Sequence, residues 1–176
     1  MTTLESLHQQ TADAYSWVNK LVKAVPEEKW EEIPEIIDSN LSWQVGHLVL
    51  SLYFHSVMNV VGHQPDIMEK LPIKKYSELF TYGPASASLG EFTVAKLKEH
   101  MALIQEKSLK TIKTLSADQL DQPLENTGIQ HPIAKTKFQV LDWNIKHTMW
   151  HCGQIAMIKR VVYKPYDFGL RSKKQN

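Results

Sequence analysis

The sequence predicts an all-α fold, an antiparallel four-helix bundle with two long connections. Three observations carry that prediction. Four long segments repeat their apolar residues at helical spacing, each is bounded by capping residues, proline or glycine, and strand-like alternation is slight. At 176 residues and 20.2 kDa, the chain is expected to form one domain over 1–176, with a C-terminal tail from about 164.

In the first segment Leu4, Thr11, Tyr15, Val18, Val22 and Val25 fall near a 3.5-residue repeat, while Asp13, Lys20 and Lys23 lie off it. Ala24-Val-Pro26 ends it, because proline removes a backbone donor and clashes with the preceding turn. The second helix starts near Asp38-Ser39-Asn40, all good N-caps, and runs to about Val61 before Gly62. It is apolar on more than one face, so it is expected to be covered by several neighbours or by a second copy of the chain, as in a homodimer. The third helix starts around Gly90-Glu91, with Val94, Leu97, Met101, Ile104, Thr111 and Leu115 on one stripe. The fourth runs from about Lys137 to Val162, with Leu141, Ile145, Thr148, Cys152, Ile155 and Val162 on a seam.

The connection 63–89 holds Pro65, Pro72, Gly83 and Pro84 and is expected to form a short helix over Lys75–Thr81. In 116–136, Ser116-Ala-Asp-Gln119 is a capping-box pattern, and Thr127–Ile133 forms a short extended piece at most. The aromatic residues after Val162 are suited to docking on the bundle. Long ordered connections of this kind often carry function.

Composition excludes several classes. The formal charge is only +1, and the one basic cluster, Arg171-Ser-Lys173-Lys174, reads as a solvated tail, which argues against a nucleic-acid partner. The apolar run Leu41–Val61 contains Gln44, His47, Ser51, His55, Ser56 and Asn59, too many polar groups for a lipid-facing span. No membrane partner is therefore expected. A single cysteine, Cys152, and a polar N-terminus are compatible with a cytoplasmic protein.

The chemistry lies in histidines. His147 and His151 stand one helical turn apart, roughly 6 Å between Cβ atoms and about 40° around the axis, so both can address one ion. Taken alone, such a pair is more often packed core or surface histidine. His47, in the most buried-looking helix, changes the balance, because an unpaired imidazole is costly there. Three imidazoles on one divalent ion leave positions free for water or substrate, the mark of a catalytic rather than a closed structural site. Zinc, nickel, copper and iron all suit such ligands.

Gln44, Asn144 and Gln154 lie three residues from these histidines and are candidates to orient them, although an ordinary satisfied amide is the commoner explanation. His55 lies two turns beyond His47, about 12 Å along the axis, and is expected at the surface or the pocket rim. His8, His63, His100 and His131 have no partner at ligand spacing. Cys152 reads as a small buried apolar residue, and Trp43, Trp143 and Trp150 as core or pocket wall, with core the commoner explanation. The paired Glu-x-x-His elements of a di-iron bundle, the His-Glu-x-x-His of zinc proteases and the Gly-x-Ser-x-Gly of hydrolases are all missing.

Leu41-Ser-Trp43-Gln-Val-Gly46-His47-Leu together with His147-x-x-x-His151-x-Gly153-Gln154-Ile155 resembles the DinB-like (YfiT-type) metal-binding superfamily over nearly the whole chain. The resemblance implies that His47, His147 and His151 are the metal ligands, with zinc or nickel as the ion, and that Gly153 permits close helix approach. It also implies a homodimer and a small-molecule substrate. The activity implied is that of a thiol-dependent transferase using a low-molecular-weight thiol, or of a hydrolase. The alternative is a non-catalytic metal- or ligand-binding stress-response protein of the same fold.

Overall fold

The computed structural model describes residues 1–170; the basic cluster at 171–174 lies outside the described residues. Four long helices dominate. Helix α1 spans Thr3–Lys23 and opens on a capping box: Glu5 N–H donates to Thr2 Oγ1, and Thr2 N–H to the Glu5 carboxylate. It stops just before Val25-Pro26, as the proline requires. Helix α2, Leu41–Tyr53, is capped by Asn40, whose Oδ1 accepts from Trp43 N–H at 2.7 Å.

Its continuation to Val61 is not uniform α-helix. It widens into a π-helical stretch, Phe54–Met58, and recovers one α-turn, Asn59–Val61. Gly62, at φ +80°, then turns the chain out through a conformation that glycine adopts without a side-chain clash. Helix α3, Val94–Thr114, begins three residues later than expected, because Thr93 rather than Gly90 supplies the cap. Helix α4 spans Lys137–Val162 behind Thr136.

The long helices pack in a ring, α1 on α4, α4 on α2, α2 on α3 and α3 on α1. Leu41, Leu48, Leu52, Val57, Leu97, Ile104 and Ile155 form the centre of the main core. A smaller cluster, including Leu7, Val60, Ile112, Val140 and Leu141, closes one end. Each such side chain contributes about 1.5–3 kcal/mol by leaving water. Most of the apolar surface of α2 is therefore consumed inside the chain, with Trp43 and Leu50 left half-buried.

The connections are largely ordered by packing. A helix over Ile73–Ser77 runs into a π-helical stretch, Glu78–Tyr82, that buries Tyr76 and Phe80 against α2. Residues 127–133 form no strand; an isolated bridge pairs Pro123 with Thr136. The capping box at Ser116 is present, and Ala117–Gln119 is one 3₁₀ turn. After α4, Tyr166 and Phe168 pack on Trp17 with ring centroids 5.6 and 5.9 Å away, so the tail docks on α1. Among the described residues, no helix is long and apolar enough to cross a membrane.

Candidate metal centre

His47 is brought to the facing helix by a close approach at its neighbour. A Cβ on Gly46 would lie 2.6 Å from the Phe80 ring, so only glycine lets that ring seat here. The seating carries the Phe80 carbonyl to 2.7 Å from His47 Nδ1. A carbonyl only accepts, so Nδ1 carries the proton and Nε2 presents a lone pair. Trp43, half-buried rather than core, stacks on the His47 ring at 5.1 Å and 9°, and its indole donates to the Gly83 carbonyl.

His151 is held in the same sense by a side chain. The Gln44 amide donates to Ser39 Oγ and to Gln154 Oε1, each at 2.9 Å, which turns Gln44 Oε1 toward His151 Nδ1 at 2.7 Å. His151 thus donates from Nδ1 and also keeps a lone pair on Nε2. Gln44 and Gln154 are members of the site's scaffold, not merely satisfied amides. Asn144, by contrast, faces away: its amide donates to Tyr15 Oη in a buried polar layer with Ser108.

The three rings meet. His47, His147 and His151 each offer a nitrogen, and these atoms lie within 4.8 Å of one another. His147 Nε2 stands 3.2 Å from His151 Nε2. Two bare lone pairs repel at that distance, so a proton or a cation belongs between them. Nitrogens each roughly 2.0–2.1 Å from one tetrahedral zinc stand about 3.3 Å apart, so one ion spans this gap. The donor set fits a divalent metal. His147 is the least anchored member, because its Nδ1 is buried without a partner.

Burial favours the neutral form of all three imidazoles. Burial, reinforced by the neighbouring imidazoles, holds His151 down at about 3 and His147 at about 4. Burial also lowers His47, against the opposing pull of the Phe80 carbonyl. Cys152 is buried, as its sequence position suggested, and burial pushes its thiol up to about 12, so it holds its proton at neutral pH.

The DinB superfamily model matches residues 10–155, which takes in all three histidines. The chain belongs to the DinB superfamily. A solved structure of similar shape, the conserved protein of locus from Enterococcus faecalis, superposes on this DinB-superfamily protein with a TM-score of 0.70. It is 13% identical, over 92% of this chain and 98% of the other, so the likeness is one of fold alone. No curated protein matches significantly.

Four expectations about individual residues are corrected. His55 is buried at 7% exposure, not at a rim, and its ring packs T-shaped on His147 with centroids 5.1 Å apart. His131 does have a partner: its Nε2 is 2.9 Å from His55 Nδ1. Trp150 is 64% exposed on the outer face of α4, because the inner face is filled by His151, Ile155 and Ile158. Among the described residues, a Cβ on Gly153 would meet nothing within 4 Å, so no helix of those residues approaches there. Neither His55 nor His131 has a ligand-like spacing to find in the sequence; the path of the 116–136 connection brings them together.

Proposed function

We propose that this DinB-superfamily protein is a metal-dependent enzyme acting on a small electrophilic substrate through a divalent ion, zinc or nickel, held by His47, His147 and His151. The observation that carries the reading is the pair of anchored tautomers: Phe80 and Gln44 oxygens accept hydrogen bonds from Nδ1–H of His47 and His151, leaving Nε2 lone pairs turned to one point. When bound, the ion would act as a Lewis acid that lowers the pKa of a thiol or a water toward neutrality. The chain's own residues would orient the ion. The scaffold of Ser39, Gln44 and Gln154 fixes one imidazole, Trp43 backs another, and burial keeps protons from competing for the ligand nitrogens.

A low-molecular-weight thiol is favoured over water as the nucleophile by the family resemblance, which makes transfer the leading reaction and hydrolysis the other. A cytoplasmic setting, where such thiols stay reduced, fits this reading. Elemental analysis of purified protein should find one ion per chain. His47→Ala should lower metal affinity by at least tenfold and abolish turnover of thiol–electrophile pairs. Metal-dependent stability with no turnover in the unsubstituted protein would point instead to a non-catalytic binding protein.

The chain is also proposed to pair as a homodimer, through α4 rather than α2. Met149, Trp150, Met157 and Val161 are exposed on the outer face of α4, beside the small Gly153. Exposed apolar stripes of this kind commonly mark an interface. Sedimentation at micromolar concentration should return twice the chain mass, and Trp150→Glu should return the monomer; a monomeric unsubstituted protein would overturn the pairing.

A further inference from the structure

His55 and His131 form a second imidazole pair, and backbone geometry dictates which nitrogen of each carries a proton. The N–H groups of Ile133 and Ala134 both donate to His131 Nδ1, at 3.2 and 2.8 Å. A backbone N–H cannot accept, so His131 Nδ1 is bare and the proton of the neutral ring sits on Nε2. That proton faces His55 Nδ1 at 2.9 Å, which must therefore accept it. The neutral His55 ring is left with its own proton on Nε2. Phe54 stacks on His131 at 5.5 Å and 11°, fixing the plane of the pair.

This ring differs in kind from its neighbours. His47 and His151 direct bare nitrogens to the site; His55, packed on His147, has only an N–H to offer. So long as His131 holds Nδ1, His55 cannot be a fourth ligand, because its remaining nitrogen is protonated. The ring sits beside His147, the member of the trio whose Nδ1 lacks a partner, so it borders the coordinating cluster. The 116–136 connection thereby contributes to the site through the tautomer it imposes on a residue of the second helix.

We propose that His55 donates a hydrogen bond from Nε2 to an anionic ligand, thiolate or oxyanion, in the open position of the three-histidine site, with His131 as the positioning residue that sets its tautomer. This rests on the metal reading above. The specificity that follows is for ligands presenting an acceptor atom beside the coordinating one. A purely structural role for the pair, tying the 116–136 connection to the second helix, would leave ligand affinity untouched.

The test has two parts. Long-range ¹H–¹⁵N NMR of the metal-free full chain reads the tautomers directly. His55 and His131 should both be Nε2–H, and a proton on His131 Nδ1 would overturn the proposal. Cobalt(II)-loaded protein, followed by its visible spectrum, is then titrated with azide, acetate and 2-mercaptoethanol. His55→Phe should bind one cobalt per chain yet lose about tenfold in affinity for at least one of these probes, the scale of a charge-assisted hydrogen bond. His55→Gln, which keeps an N–H donor, should recover most of that loss.

His131→Asn keeps an acceptor for the backbone N–H groups but does not reach His55; it should weaken the same probe several-fold, and should have no further effect in the His55→Phe background. A larger loss with acetate than with the thiol assigns the contact to oxyanions, and the reverse to thiolates. Unchanged affinity for all three probes in cobalt-loaded His55→Phe overturns the donor role while leaving the metal reading intact. Failure of the unsubstituted chain to take up cobalt overturns both.

Discussion

Two imidazoles of the centre, His47 and His151, each owe their direction to one acceptor, and the two acceptors differ in how they can be removed. The Phe80 carbonyl is backbone and cannot be deleted by truncating its own side chain, whereas Gln44 Oε1 is itself held by Ser39 and Gln154. Replacing Gln44 with alanine releases His151 Nδ1 into a buried space without a partner. Outer partners of metal-binding histidines typically contribute 10–100-fold in affinity. Gln44→Ala should therefore weaken zinc binding by about that factor with one ion still bound at saturation, as read by competition with a chromophoric chelator. Equal affinity in the two proteins would show that His151 needs no orienting group.

The elements position these residues through two local features. Gly46 is the first: its missing Cβ admits the Phe80 ring, and the Glu78–Tyr82 π-turn then delivers the Phe80 carbonyl to His47. Overpacking of a tight contact costs typically 1–3 kcal/mol. Gly46→Ala is expected to destabilise the protein by about that amount in urea denaturation and to weaken metal binding as well, because the ring and its carbonyl move together. Loss of stability with unchanged metal affinity would separate the two effects. The second feature is the π-helical stretch Phe54–Met58, which contains His55 and puts Phe54 against His131. Single π-turns inside helices recur at functional sites, and this one lies where the second helix meets the 116–136 connection.

At the scale of the whole molecule, burial of so many neutral histidines links stability to pH. An unfolded histidine titrates near 6.5, but in the folded chain His147 and His151 are held at about 4 and about 3. Between these values the unfolded chain binds more protons than the folded one, so stability rises with pH and is lost on acidification. The loss should begin as pH falls through about 6.5 and continue toward about 4 for His147 and about 3 for His151, with up to about 1.4 kcal/mol per pH unit for each fully shifted histidine. Thermal unfolding of the chelator-treated protein at pH 7 and pH 5 checks this; a flat melting temperature would mean that the rings are solvated in the native state. Bound zinc should steepen the dependence, because protons compete for its ligands.

The amino-acid sequence alone determined the all-α class, a cap within Asp38-Ser39-Asn40, the capping box at Ser116 and the stop before Pro26, together with His47, His147 and His151 as the residues to watch. Helical periodicity, capping and proline geometry are local, so a linear string carries them. Only the tertiary structure decided that Gln44 rather than Asn144 orients a histidine of the cluster, that Trp150 faces outward, and that His131 crosses from a connection to meet His55. Those facts depend on which face of a helix meets which neighbour and where a long connection lies. They are set by packing between segments tens of residues apart, for which single-chain periodicity holds no signal.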